Sequence, residues 1–585
     1  MAGLYLRKNR PQKAIDLLKD IAVDDGTNEE LVSLLSSAHL RAGNTDEAAR
    51  LFEIAAKERP DDPELKTRLA LTRLQGGKPE AAVAELNEIL KTNPDAARAH
   101  ILLVLTQLRE NNLDAALEAA QNLKKNLKDN PLPDNLLGGI WVRKGDLAAG
   151  RKAFTAALAL NDKFIPAILN LAQLDLAEQN TEKAKANYLK IIEIDKTNTA
   201  AMMGLSRLAF AAEDRETGVS WLKKSMAAQP RSAQPRLRLV EYYLAVRDHS
   251  AALVVARDML QAMPENALAV DAMGRTQMAA KQFASATSSY RRVIKLAPKA
   301  PVAHQRLARA LIGVNNLAAA SESLKTALKL APSFLPAYLD LIALEVRKEN
   351  IDAALLIAES LRERFPKRPV ADLAVGDVSL RAGKYPEAVA AFERANKTSP
   401  NSRTTIRLFQ ARLANQKPGD AEDGMTDWLE KNAKDNAVRF ALASHYLNTG
   451  KMELALTEHE VLYEAEPENQ IVLNNLAWLY DRKDDKRAVT MAEKAHTKAV
   501  RSPTIKDTLG WILLRRGDAE RGLDLITEAA KVLSSNVEVQ YHYAYALNSI
   551  GQKEAAKAVL EQFLTDETPR FQGIEDARAL LKSLQ

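Results

Sequence analysis

Cysteine is absent from all 585 residues. This excludes disulfides, zinc–thiolate sites and a cysteine nucleophile, and it leaves the redox compartment open. Long apolar runs are missing too, and no stretch reaches the roughly 18 residues that a membrane-spanning helix needs. The beginning, Met1 to Gln12, has only Leu4, Tyr5 and Leu6 as an apolar cluster and is no signal peptide. Charge of one sign is scarce: 82 basic against 76 acidic residues leave a net +6, too little to argue for nucleic acid. Catalytic patterns are equally thin. No two of the eight histidines stand at metal-ligand spacing on one helix, and His459-Glu460 lacks the second histidine of HExxH. There is no GxSxG, and Gly76-Gly77-Lys78 lacks the spacing of a P-loop. Carboxylate pairs such as Asp61-Asp62 and Asp484-Asp485 fall at helix starts, where capping accounts for them. The chain therefore reads as non-enzymatic, with no cofactor and no metal site.

What is present is a period. Pro230, Pro264, Pro298, Pro332, Pro366 and Pro400 are spaced 34 residues apart, and Pro60 and Pro94 fall on the same grid. The stretch from Pro369 to Pro400 shows what repeats. Leu373, Val375 and Leu380 recur at helical spacing before Gly383, and Ala388, Ala391, Phe392 and Ala395 after it. This predicts two short antiparallel helices, the first ended by Gly383 at positive φ and the second stopped by Pro400. Such a hairpin cannot bury its apolar face alone and must stack on copies of itself. Length would otherwise suggest several globular domains, but a stack of repeats grows in one dimension.

The 34-residue spacing, with a small residue at position 8, alanine at 20 and proline at 32, resembles the tetratricopeptide repeat (TPR). That resemblance implies an all-α fold, a right-handed superhelical solenoid of antiparallel helix pairs with the first helix of each pair lining a concave groove. Units are expected to begin at Glu29, at 34-residue steps to Pro369, and then at Arg403, Asn436, Gln470, Pro503 and Val537. The expected organisation is a partial repeat over 1–28, sixteen repeats over 29–570 and a C-terminal capping helix over 571–585. Ala14, Leu18 and Ile21 match the second helix of a unit, so the chain is expected to start inside a repeat of a longer protein, with any signal or lipid anchor lost.

Two patterns mark the face that the resemblance assigns to ligands. At position 9 the last three units carry Trp478, Trp511 and Tyr545. Their neighbours at positions 5 and 6 are Asn474 and Asn475, Asp507 and Thr508, and Tyr541 and His542, with Arg515 at position 13. The rings are either packing between repeats or a stacking platform for a sugar ring or an extended peptide. Farther upstream, Arg207, Arg238, Arg275, Arg306 and Arg309 fall on successive units. They form either a basic groove for an anionic polymer or acidic peptide, or pairs with neighbouring carboxylates, Glu241 being an obvious partner.

The segments Asn474-Asn475-Leu-Ala-Trp-Leu-Tyr480 and Asp507-Thr-Leu-Gly-Trp-Ile-Leu-Leu-Arg-Arg-Gly-Asp518 resemble the C-terminal end of the TPR lipoproteins associated with bacterial exosortase (PEP-CTERM) systems. The resemblance implies a periplasmic or outer-membrane-associated scaffold of a protein-sorting and exopolysaccharide system. Its partners would be proteins of an envelope complex or an anionic polysaccharide, with no nucleic acid, and it would meet a membrane only through a lost lipid anchor. Two rivals stand beside it. A cytosolic adaptor that clamps an acidic peptide terminus would need lysine and asparagine at fixed positions of consecutive first helices, and position 6 is asparagine only at Asn170 and Asn475. A substrate-recruiting array of a larger enzyme would need a catalytic domain before Met1.

Overall fold

The computed structural model describes residues 1–7, 10–24, 29–564, 571 and 573–585. The expected boundaries at 28 and 570 and the side chain of Ile21 lie outside them. About 80% of the chain is helical, and the described residues form 35 helices and contain no strand. First helices begin at Glu29 and then every 34 residues to Pro369, followed by Ser402, Asn436, Gln470, Pro503 and Val537. The start expected at Arg403 is one residue earlier, because the Asn401 side chain accepts from the Thr404 backbone N–H and the Thr404 hydroxyl caps the Asn401 backbone in return.

The hairpin Pro369–Arg381 and Tyr385–Thr398 shows why this sequence folds as it does. Gly383 takes φ +69° between the helices. Ala388, Ala391, Phe392 and Ala395 are fully buried. A Cβ at Gly376 would lie 2.5 Å from the Phe392 ring, so the glycine lets the ring fill the space between the helices. The alanine at position 20 recurs as fully buried Ala48, Ala82, Ala116, Ala184, Ala252, Ala286, Ala320, Ala354, Ala421, Ala455 and Ala488. That small residue sets the close crossing of each helix pair.

The turn departs from expectation. Nine units place a residue other than glycine at positive φ: Asn111, Gln179, Glu213, Arg247, Lys281, Asn315, Glu349, Gln416 and Asp484, all between 55° and 63°. The stacked helices on either side hold these residues in a region that costs an L-residue about 1–2 kcal/mol.

The chain forms two compact units, Met1–Pro298 and Lys299–Gln585. In the first, the short helix Ala2–Arg7 packs on Pro11–Asp24, and hairpins follow in series to Phe283–Leu296. The second runs from Pro301–Gly313 to Lys553–Phe563 and ends in Ile574–Ser583. This last helix buries Ala577 and leaves Glu575, Asp576, Arg578 and Lys582 exposed. No described helix is long and apolar enough to cross a membrane.

Candidate functional site

The aromatic residues of the last repeats sit on the first helices Gln470–Arg482, Pro503–Arg515 and Val537–Ser549. Trp511 is half-buried. Its indole stacks on the His542 imidazole at 4.0 Å between centroids and 20° between planes, and Tyr545 meets it edge-on at 5.2 Å. Tyr541, 6% exposed, stands 5.8 Å from Trp511 and 6.0 Å from Phe571. Burial, helped by the Asp576 carboxylate, pushes the Tyr541 hydroxyl up to about 12. Trp511 therefore bridges two repeats, while Tyr545, 38% exposed, carries the open edge of the cluster. Trp478 packs separately, against the cluster that holds Phe409, Leu442 and Leu479, with the Arg482 guanidinium 5.0 Å over its ring.

The polar residues around these rings are engaged with one another. His542 Nδ1 donates to the Asp507 carboxylate, at 3.0 and 3.1 Å from its two oxygens. Arg515 donates to buried Asp481 at 2.5 Å. Asn475 donates to His459 Nε2 at 3.0 Å, and His459 Nδ1 lies 2.8 Å from the Ala455 carbonyl. His459 is thereby fixed with its proton on Nδ1, and its complete burial drives its pKa down. Asn474 keeps a buried amide oxygen with no partner.

Asp507 and His542 belong to a recurring contact that the sequence reading did not find. Position 5 of one repeat bonds to position 6 of the next, 35 residues on, at several junctions among the described residues. Arg68 donates to Ser33 at 3.1 Å and Asn170 to Asn135 at 2.9 Å in the first unit. Gln305 donates to Asp340 at 2.8 Å and His542 to Asp507 in the second. The signal was available as polar residues at a spacing of 35, but the residue types differ at every junction.

The arginines follow the same logic. In the first unit, Arg238 and Arg275 flank Glu241 at 3.2 and 3.7 Å, and exposed Arg207 bonds to the Tyr188 hydroxyl. In the second unit Arg309 forms a fork on Asp340, at 2.7 and 3.0 Å, while Arg306 is half-buried on Pro301–Gly313. The carboxylates offset part of this positive charge. Arginines at position 13 reach across repeats: Arg41 donates to the Leu6 carbonyl and Arg143 to the Leu108 carbonyl, at the C-terminal end of the preceding first helix.

A second missed regularity joins the two helices of one repeat, at a spacing of 22. Arg236 pairs with Asp258 at 2.8 Å, Asp372 with Arg394 at 2.9 Å in the opposite sense, and Lys506 with Glu528. No group of three or more histidine, aspartate or glutamate side chains that could hold a metal occurs among the described residues.

Profiles of the tetratricopeptide repeat match residues 5–71, 67–131, 165–198, 277–345, 339–403 and 538–567. The chain is 29% identical over 162 residues to the TPR repeat-containing protein PA4667 of Pseudomonas aeruginosa. That match covers 26% of this chain and 27% of the relative, so the chain spans about a quarter of the length of the curated relative it matches. Two solved structures are similar at low superposition scores. The APC/C hetero-tetramer Cut9-Hcn1 has a TM-score of 0.36 at 15% identity, covering 85% of this chain and 98% of that one. Yeast Tom70 has a TM-score of 0.35 at 18% identity, covering 80% and 97%. The repeat profiles take in more than half of the chain, and with the stacked helix pairs they establish that it belongs to the tetratricopeptide-repeat family.

Proposed function

We propose that this chain is a non-enzymatic interaction scaffold of a bacterial envelope system that joins protein sorting to exopolysaccharide production. It acts in the periplasm or at the outer membrane and holds a protein or an anionic polysaccharide along its first helices. The carrying observation is the cluster of Trp511, Tyr541, His542 and Tyr545. It is rigid on its buried side and ends in the open Tyr545 edge, an arrangement that offers contact area at little entropic cost. The Asn474–Tyr480 and Asp507–Asp518 segments, which resemble the exosortase-associated lipoproteins, support the envelope setting. Arg482 over Trp478 adds positive charge on the same repeats.

Tryptophan fluorescence titrated with alginate, and separately with an acidic peptide, tests the binding surface. The signal should change with one of them, weaken as salt rises, and fall at least severalfold in Tyr545→Ala. No response to either ligand would refute this surface. Fractionation of cells producing the full reading frame tests the setting, and a purely cytosolic protein would favour the adaptor reading.

A further inference from the structure

A cleft of about 670 Å³ opens in the first unit, over the first helix Ala97–Arg109 and between the second helices Pro79–Thr92 and Leu113–Asn126. Its size falls in the range of pockets that take ligands, about 300–1,000 Å³. The floor is His100, Leu103 and Gln107, all buried, and the small residues Ala115 and Ala119 leave the room. Nothing in the face described above uses it.

Its polar groups are arranged for a neutral, bidentate ligand. Asn87 on one wall makes no bond within the protein, and Asn122 on the other accepts from Lys125 at 3.0 Å and keeps its amide N–H groups unused. Gln107 accepts from Asn112 at 3.0 Å through its oxygen, which leaves its own amide nitrogen for a ligand. His100 is 5% exposed, and its Nε2 lies 2.8 Å from the Pro94 carbonyl. The Asn126 amide nitrogen also approaches Nε2 at 3.1 Å, and the buried Nδ1 has no partner.

We infer that this cleft binds an extended peptide segment that seats one aliphatic side chain on Leu90 and Leu103. A carboxamide presents a donor and an acceptor in one plane, matching the C=O and N–H of a peptide unit. Asn87 and Asn122 stand on the second helices of successive repeats, on opposite walls of the cleft. No phenylalanine, tyrosine or tryptophan lines the cleft, and the His100 ring is buried, so a sugar ring has no open face to stack on. At the rim Lys91 pairs with Glu88 and Lys125 donates to Asn122, so the entrance carries no excess charge beside the anchor.

Selection of a random dodecapeptide phage library on the full chain tests this, with the enriched sequences made as labelled peptides for fluorescence anisotropy. The peptides should share an aliphatic position. Their affinity should fall at least about tenfold in Asn122→Ala and be abolished in Ala115→Trp, which fills the cleft from an exposed position. Tyr545→Ala should leave it unchanged, which separates this site from the aromatic surface. Unaltered melting of Asn87→Ala and Asn122→Ala keeps the comparison valid if the tryptophan variant folds poorly. Failure to enrich any peptide, peptides that bind Ala115→Trp as well as the parent chain, or binding of maltoheptaose in their place would overturn the inference.

Discussion

Trp511→Ala separates packing from presentation at the C-terminal cluster. A fully buried ring costs about 3–5 kcal/mol to truncate, and an ordinary surface change stays within about 0.5 kcal/mol. Trp511 is half-buried, but it loses a stacked contact with His542 and edge contacts with Tyr541 and Tyr545. Each aromatic pair adds about 0.5–1.5 kcal/mol beyond area. A loss of about 2–3 kcal/mol follows, which lowers hydrogen-exchange protection roughly 30- to 150-fold, at tenfold per 1.4 kcal/mol. The effect should be confined to Pro503–Phe563, since a repeat contacts only its neighbours. Tyr545→Ala, at the open edge, should change protection far less. If Trp511→Ala changes protection less than about threefold, the ring does no packing and the bridging role is wrong.

Three further outcomes follow from the geometry. Glu213→Gly, Arg247→Gly and Lys281→Gly relieve positive-φ strain against the flexibility that glycine adds to the unfolded chain. Each should stabilise by about 0.5 kcal/mol, and a lower denaturation midpoint for the triple variant would refute the strain. Arg394→Ala leaves the Asp372 carboxylate buried and unpaired. It should cost about 1–3 kcal/mol once the exposure of Arg394 is allowed for, and the exchanged pair Asp372→Arg/Arg394→Asp should recover part of it in urea melts. His459 has a folded pKa below its unfolded value of 6.5, so its neutral form stabilises the fold fully above that value. The contribution drains away as pH falls from 6.5 through the lowered folded value. His459→Gln should flatten that slope in the repeats around Met452–Ala465, and an unchanged pH profile would exclude the effect.

The repeat phase was legible because the 34-residue spacing of Pro230 to Pro400 and the alanine or glycine at position 20 recur in one phase. The helix pairs could be placed from that alone. The positive-φ turns at Glu213 or Lys281 were not legible, since neither residue prefers that conformation; packing of the flanking helices imposes it. Trp511 could be placed on the first-helix face by counting. Whether its ring meets solvent or His542 depends on the offset between neighbouring repeats, which periodicity does not encode. The arginines show the same limit: Arg309 and Asp340 lie 31 residues apart, and neither position identifies the other as its partner.

The bonds between position 5 of one repeat and position 6 of the next also act as a registry code. Repeats of similar shape can in principle skip a neighbour or exchange with another copy of the chain, a known failure of repetitive proteins. Here Ser33 meets Arg68, Asn135 meets Asn170, Gln305 meets Asp340, and Asp507 meets His542. A hairpin docked one place out of order would set Asp507 against a side chain it was not built to match and strand a buried carboxylate. These junctions are therefore not interchangeable, and deleting a repeat that flanks one of them would break its key.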